Sequence, residues 1–384
     1  MIAVQFSNWW MLFLIAFIFV LYSLLLLLLR RGVQTVLAQT PSREAQQFRA
    51  ISVVVAVRNE VANLGGLVND LKSQNYPHFS YEVILVDDHS TDGSYELLQR
   101  LIHHDSRFRL TRLGVGAHGK KSALAEAIRL SKGEIILTTD ADCRLPESWC
   151  RAMNVQFEAP ATRMCMGPVR LQTGTSFFDQ LQALEYVSVA AVTIGSVGWG
   201  RPTMASGANL AYRKDAFYEV DGYFDEETLA SGDDQFLMEK MCARYRSPVV
   251  FAADAAALVT TRAQPDVRSF LRQRLRWAGK WGKMQRTTRM LAVGVFLFHL
   301  TVFSSPFIAF LVPGGLAVVA GGWVIKAVAE GYLLFPVARF SRVVWSTAAL
   351  ICWQPLYPIY AVAIGAFSRR KRITWKQRTW QNQQ

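Results

Sequence analysis

The sequence predicts an α/β domain with a mostly parallel sheet, set between transmembrane helices. Three observations carry that expectation. Short β-branched runs alternate with helical stretches from Ile51 to Leu137, long apolar segments lie on both sides of this region, and paired carboxylates follow two of the runs. Strands that alternate with helices build parallel sheets through right-handed crossovers.

Trp9 to Leu29 is almost uninterrupted apolar sequence, about the length of one membrane span. A secretory leader is the competing reading. No small-residue cleavage site follows, and Arg30-Arg31 stands on the wrong flank, so residues 1–33 read as an uncleaved anchor. The two arginines also place that flank on the cytoplasmic side. A polar connector from Gln34 to Arg49 leads into the predicted soluble domain, residues 48–267.

Ile51 to Val57 has the composition of a strand buried on both faces. Val61 to Gln74 reads as a helix, Tyr81 to Val86 as a strand, and Tyr95 to His103 and Lys121 to Leu130 as helices. Ile135, Ile136 and Leu137 form the next buried strand. The half from Cys143 to Ala263 is less regular, with one long helical stretch from Phe177 to Thr193 and glycine-rich turns between Gly195 and Gly207. Arg268 to Lys283 reads as one interfacial helix within residues 268–289. Apolar stretches near 291–312, 315–336 and 344–367 make residues 290–368 a set of C-terminal transmembrane helices before a basic tail, 369–384. One span before the domain and three after it would put Arg369-Arg370-Lys371-Arg372 outside, against the positive-inside bias. Lys326 and Glu330, at i and i+4 in the middle stretch, are costly in lipid unless paired.

Composition narrows the class. The chain has 384 residues, 51% of them hydrophobic, and a net charge of +13. Its basic residues concentrate at 268–289 and 369–378, beside apolar segments, which favours anionic lipid headgroups over nucleic acid as the partner. Five cysteines without metal-ligand spacing read as reduced thiols in a cytosol-facing domain, with Cys143 a small buried residue.

Four motifs could carry chemistry. Asp140 and Asp142, one residue apart after the Ile135 strand, are expected to point to one face at its carboxyl end, where open α/β sheets bind ligands. Two hard oxygen donors there suit Mg²⁺ or Mn²⁺ held also by phosphates. Asp87 and Asp88 end the Tyr81 strand and could accept from a uracil imide or ribose hydroxyls, or merely cap the next helix. Arg58 and Glu60 end the first strand towards the same crevice, and Lys120 precedes a helix where it could meet phosphate. Asp233 and Asp234 stand at a probable helix start, either as N-cap or as general base. Gln273, Arg276 and Trp277 share a helical face: a guanidinium suits a leaving diphosphate, and an indole a sugar face. The surrounding Arg272, Arg274, Lys280 and Trp281 read better as membrane anchors.

Taken in order, these motifs resemble those of the membrane-bound family 2 glycosyltransferases, which include cellulose, hyaluronan and poly-N-acetylglucosamine synthases and smaller non-processive relatives. The resemblance runs from about Ile51 to Trp277. It implies a GT-A nucleotide-sugar-binding domain on the cytoplasmic face of a membrane, the bacterial inner membrane. Asp88, with Asp87, would contact the nucleoside, helped by Arg58, Glu60 and Lys120. Asp140 and Asp142 match the DxD motif that holds the metal, and Asp234 matches the catalytic base, with Asp233 beside it. Gln273, Arg276 and Trp277 match QxxRW, near the diphosphate and acceptor. Ser206 to Asn209 and Asp221-Gly222-Tyr223-Phe224 look like further family landmarks. The expected activity is inverting transfer from a UDP-linked sugar to a lipid or glycan acceptor. Gly-Asp-Asp stands where many processive synthases carry Thr-Glu-Asp, a single span precedes the domain, and Ile373-Thr374-Trp375-Lys376 only loosely resembles a gating loop, all of which weigh against polymer export. Processive synthesis, a non-catalytic scaffold and a basic surface-binding module are the rival readings.

Overall fold

The computed structural model describes residues 9–39, 47–223, 232–368, 372–375 and 378–381. The residues comprise two compact units. The first contains Met1–Gln34, Gly174–Gly195 and Gln264–Arg370; the second contains Thr35–Thr173, Ser196–Ala263 and Lys371–Gln384.

The second unit is the α/β domain. Its seven-stranded sheet has the spatial order β3-β2-β1-β4-β7-β5-β8, with β1 at Ile51–Val57, β2 at Tyr81–Asp87, β3 at Phe108–Arg112 and β4 at Ile135–Thr138. The remaining members are β5 at Met164–Met166, β7 at Leu210–Arg213 and β8 at Val249–Phe251. The first four pair in parallel; β7 runs antiparallel between β4 and β5. The β-branched residues of β1 explain its central place, since a strand covered on both faces needs apolar side chains on both. Helices α2 (Val61–Lys72), α3 (Ser94–Ile102) and α4 (Lys120–Leu130) make the crossovers. Each buries a narrow stripe: Ser94, Leu98 and Ile102 in α3, and Ala123, Leu124, Ala127 and Ile128 in α4. Strand β4 lies on the opposite side of β1 from β2, so the sheet changes winding direction between β1 and β4. That switch point opens a crevice above the strand carboxyl ends.

A second pair, β6 (Val169–Gln172) with β9 (Val259–Arg262), runs parallel beside the sheet. The sequence reading missed β3 and, among the described residues, every strand between Cys143 and Ala263. Those five later strands are only three or four residues long, too short for alternation to register. Strand β4 ends at Thr138, so Asp140 and Asp142 do not continue it. They lie in a turn closed by Cys143 N–H on the Asp140 carbonyl at 3.1 Å.

The first unit is helical. Among the described residues, five helices are long and apolar enough to cross a membrane: α1 (Trp9–Leu37), α6 (Phe177–Gly198), α10 (Arg286–Leu311), α11 (Gly315–Ser341) and α12 (Thr347–Phe367). Helix α6, predicted to belong to the soluble half, is among them, and its residues 177–195 fall in the helical unit. The buried charges of α11 are paired. Lys326 Nζ donates to Glu330 Oε2 and Gln354 Oε1, both at 2.9 Å, and Tyr22 donates to Glu330 Oε1 at 3.1 Å. This closed set lowers the cost that Lys326 and Glu330 would carry alone among apolar helices. Helix α9 (Val267–Ala278) is shorter than the predicted 268–283 helix. Gly279 caps it, and a separate 3₁₀ turn follows at Trp281–Lys283. The basic run Arg369-Arg370-Lys371, together with Lys376, Ser231 and Phe224, lies outside the described residues.

Candidate active site

The α/β unit gathers its acids around one lysine. Gly119 takes φ +94°, a conformation that only glycine adopts without strain, and turns the chain into α4 so that Lys120 opens the helix. Lys120 Nζ lies 2.6 Å from Asp140 Oδ1 and 3.8 Å from Asp233 Oδ2. Burial pulls the lysine down, but Asp140, Asp233 and Asp234 outweigh it and hold the ammonium well above the usual lysine range.

Asp233 and Asp234 begin α8 (Asp233–Arg244) after Gly232, which has φ +107°. Asp233 is buried, and Asp234 is half-buried. Asp234 Oδ2 accepts from Gly207 N–H at 2.9 Å, and its Oδ1 accepts from Gln235 N–H at 2.8 Å. Two backbone donors, one from the loop before β7 and one from the first turn of α8, aim the carboxylate. The Gly207 donor is itself placed by β4 and β7. Thr138 Oγ1 donates to the Gly207 carbonyl at 3.1 Å, and Thr139 Oγ1 to the Ala208 carbonyl at 3.0 Å. A Cβ at Gly207 would stand 3.2 Å from Lys120 Nζ and 3.6 Å from Asp233 Oδ2. The backbone therefore comes directly against the charged cluster.

At the ends of β1 and β2, Arg58 Nη1 donates to the Asp88 carbonyl at 2.5 Å and lies 3.8 Å from Asp88 Oδ2. Gly119 N–H donates to Asp88 Oδ2 at 3.1 Å, which ties this corner to the lysine corner. Asp87 has no exposed surface. Its oxygens accept from Ser90 N–H at 3.2 Å and Arg112 Nε at 3.2 Å, so its carboxylate holds the turn and the edge strand β3. Glu60 stands before α2, its Oε2 accepting from Asn63 Nδ2 at 2.6 Å.

Asp140 and Asp142 are both half-exposed in their turn, whereas Ala141 and Cys143 are buried between and after them. Burial pushes the Cys143 thiol up, so it stays protonated and leaves oxygen as the ligand type. Among the described residues these two acids have no third ligating side chain. Two carboxylates with open positions fit Mg²⁺ or Mn²⁺, which keep waters and take phosphate oxygens. Arg144 anchors the chain after the turn, with Nε and Nη2 at 2.6 and 2.7 Å from the Asp70 carboxylate.

Gln273, Arg276 and Trp277 are on α9, in the helical unit. There the sequence reading of Arg274 as a membrane anchor is corrected. Arg274 is 4% exposed. Its Nε donates to Glu185 Oε1 at 2.7 Å, its Nη2 donates to Glu185 Oε2, and Tyr360 donates to Glu185 Oε1 at 3.1 Å. The guanidinium lies 4.5 Å from the Phe270 ring centroid and 4.3 Å from that of Trp277, and Nη1 donates to Gln273 Oε1. Burial opposes the charge, but Glu185 outweighs it and holds the arginine above its ordinary range. Arg274 thus braces two residues of the QxxRW pattern. One-dimensional spacing shows no such pairing, because Glu185 is 89 residues away.

Residues 52–221 match the family described as "Glycosyl transferase family 2". The chain is 30% identical over 186 residues to the beta-monoglucosyldiacylglycerol synthase of Synechocystis sp., covering 48% of this chain and 32% of that one. It is 27% identical over 240 residues to an N-acetylglucosaminyltransferase of Bradyrhizobium diazoefficiens, covering 60% of this chain and 48% of the relative. It therefore spans about a third and about half of these two relatives. Among solved structures, a mannosyltransferase of Pyrobaculum calidifontis, in complex with GDP-Man and Mn²⁺, superposes with a TM-score of 0.59 at 18% identity, over 94% of this chain and all of that one. At that identity the likeness establishes the fold, a mostly parallel sheet of the GT-A type with long apolar helices.

Proposed function

We propose that this chain, whose residues 52–221 match the family 2 glycosyltransferase model, is such an enzyme and transfers one sugar with inversion from a UDP-linked donor to the hydroxyl of a membrane lipid. The observation that carries the reading is the convergence of Asp140 and Asp233 on Lys120, with Asp234 aimed beside them by Gly207 N–H. That is a charged cluster at the switch point of an open sheet, where a diphosphate and its transferable group can lie together. The lipid acceptor is supported by the glucosyldiacylglycerol synthase relatives and by the five long apolar helices. A glycan acceptor is the second reading, on the N-acetylglucosaminyltransferase relatives.

In this mechanism Asp88 and Arg58 hold the nucleoside side of the donor, with Asp87 fixing their turn. Asp140 and Asp142 would hold Mg²⁺ or Mn²⁺, which supplies charge to a bound diphosphate. Asp234, half-exposed and oriented by two N–H donors, takes the proton of the acceptor hydroxyl. The acceptor oxygen forms its bond to the anomeric carbon as the bond from that carbon to the phosphate oxygen breaks on the opposite face. The electron pair leaves with the nucleoside diphosphate, and one displacement inverts the centre. Lys120 receives the developing negative charge; the QxxRW resemblance assigns Arg276 to the diphosphate. The same resemblance assigns Gln273 and Trp277 to the acceptor. The α/β unit works on the cytoplasmic face, the side to which Arg30-Arg31 points.

The test is a screen of purified full chain against UDP- and GDP-linked sugars with native lipids, with Mn²⁺ or Mg²⁺ and with chelator. Asp234→Asn is expected to lower kcat by roughly 10²–10⁴-fold while the nucleotide still binds. Turnover within threefold of wild type in that variant, or full activity in chelator, would reject these assignments. A product ladder in place of a single addition would favour processive synthesis.

A further inference from the structure

A second group of ligating side chains lies at the nucleoside corner, apart from Asp140 and Asp142. Asp88, His89 and His118 each offer one ligand atom, and these atoms all lie within 4.8 Å of one another. They come from two loops. Asp88 and His89 follow β2, and His118 precedes α4. The loops are tied by Gly119 N–H on Asp88 Oδ2 and by contact between a His89 ring nitrogen and the Ala117 carbonyl, at 3.2 Å. The two imidazoles stand edge-on, with centroids 5.2 Å apart. Asp88 is buried, His89 half-buried and His118 exposed, so the group opens to solvent on one side.

We propose that Asp88, His89 and His118 bind a borderline divalent ion of the Zn²⁺ type, and that this ion competes with the donor nucleotide. Two imidazoles and one carboxylate make a three-ligand set that leaves a fourth, water-filled position, and they select Zn²⁺ or Co²⁺ over Mg²⁺. The oxygen pair Asp140 and Asp142 has the opposite preference. A carbonyl partner on one ring nitrogen is the usual outer-shell device that presents the other nitrogen to a metal. Arg58, 3.8 Å from Asp88 Oδ2, opposes a cation and makes the site weaker than a structural zinc site. It therefore suits reversible occupancy. Competition rests on the donor reading of Asp88 above; metal binding does not.

Co²⁺ is the probe, added to the full chain without a polyhistidine tag and followed by its visible absorption. Wild type is expected to develop the intense bands of low-coordinate Co²⁺ at one equivalent, and Zn²⁺ to abolish them. His118→Gln changes an exposed side chain and should weaken Co²⁺ at least roughly 10-fold, the lower range for loss of a supporting residue at a metal site. Asp142→Asn should leave the bands intact. UDP should displace the ion from wild type. Absent bands, bands unchanged by His118→Gln, or bands lost only with Asp142→Asn overturn the site. Bands that persist at saturating UDP overturn the competition. A chain that binds Co²⁺ as expected yet transfers no sugar sinks the transferase reading alone.

Discussion

Lys120→Met removes the one described cation within 4 Å of both Asp140 and Asp233. The lysine side chain is 25% exposed, and its contact to Asp140 is 2.6 Å, a charge-assisted bond in a partly desolvated place. Such a bond contributes about 1.5–3 kcal/mol. At 1.4 kcal/mol per tenfold, that predicts a loss of roughly 10- to 150-fold in kcat/KM for the donor. Without the ammonium, Asp140 and Asp233 lose the cation they share. The lysine's own contribution has a pH signature. A lysine raised by its partners contributes fully below its unfolded value of about 10.4, and that contribution fades only as pH climbs towards the folded value. No alkaline limb below about pH 10 should trace to Lys120 in the wild type. Steady-state kinetics of both proteins from acid to alkaline pH are the assay. A donor kcat/KM within threefold of wild type would show that the lysine does not organise these acids.

Two further perturbations test the supports of the site. Arg274→Ala leaves Glu185 buried without its cation and should destabilise the helical unit by about 3–5 kcal/mol, whereas Arg274→Met combined with Glu185→Leu should recover most of it. Thermal unfolding in detergent separates the two cases, and equal stability of all three proteins would refute the brace. Gly167→Ala would put a Cβ 2.2 Å from the Asn209 side chain, which accepts from Trp149 Nε1 and donates to the carbonyls of Pro168 and Ala257. Overpacking of this kind costs about 1–3 kcal/mol, read as a lowered melting temperature. An unchanged melting temperature would mean that the loop gives way freely.

The central half of the sheet was legible in one dimension because Ile51 to Val57, Tyr81 to Val86 and Ile135 to Leu137 are runs whose burial on two faces demands apolar, β-branched residues. Alternation with helices then implied parallel pairing and acids at the carboxyl ends. The apolar segments were equally plain, since lipid requires long uncharged helices. Chain periodicity could not supply the placement of β7 between β4 and β5, which puts Gly207 N–H on Asp234 and Lys120 between Asp140 and Asp233. Nor could it show that Glu185 answers Arg274, or that Gln354 and Tyr22 answer Lys326 and Glu330. Local sequence determines which residues must be buried and which carry charge. Which distant charge meets which is decided by packing, because a desolvated ion must find its partner wherever the fold brings one.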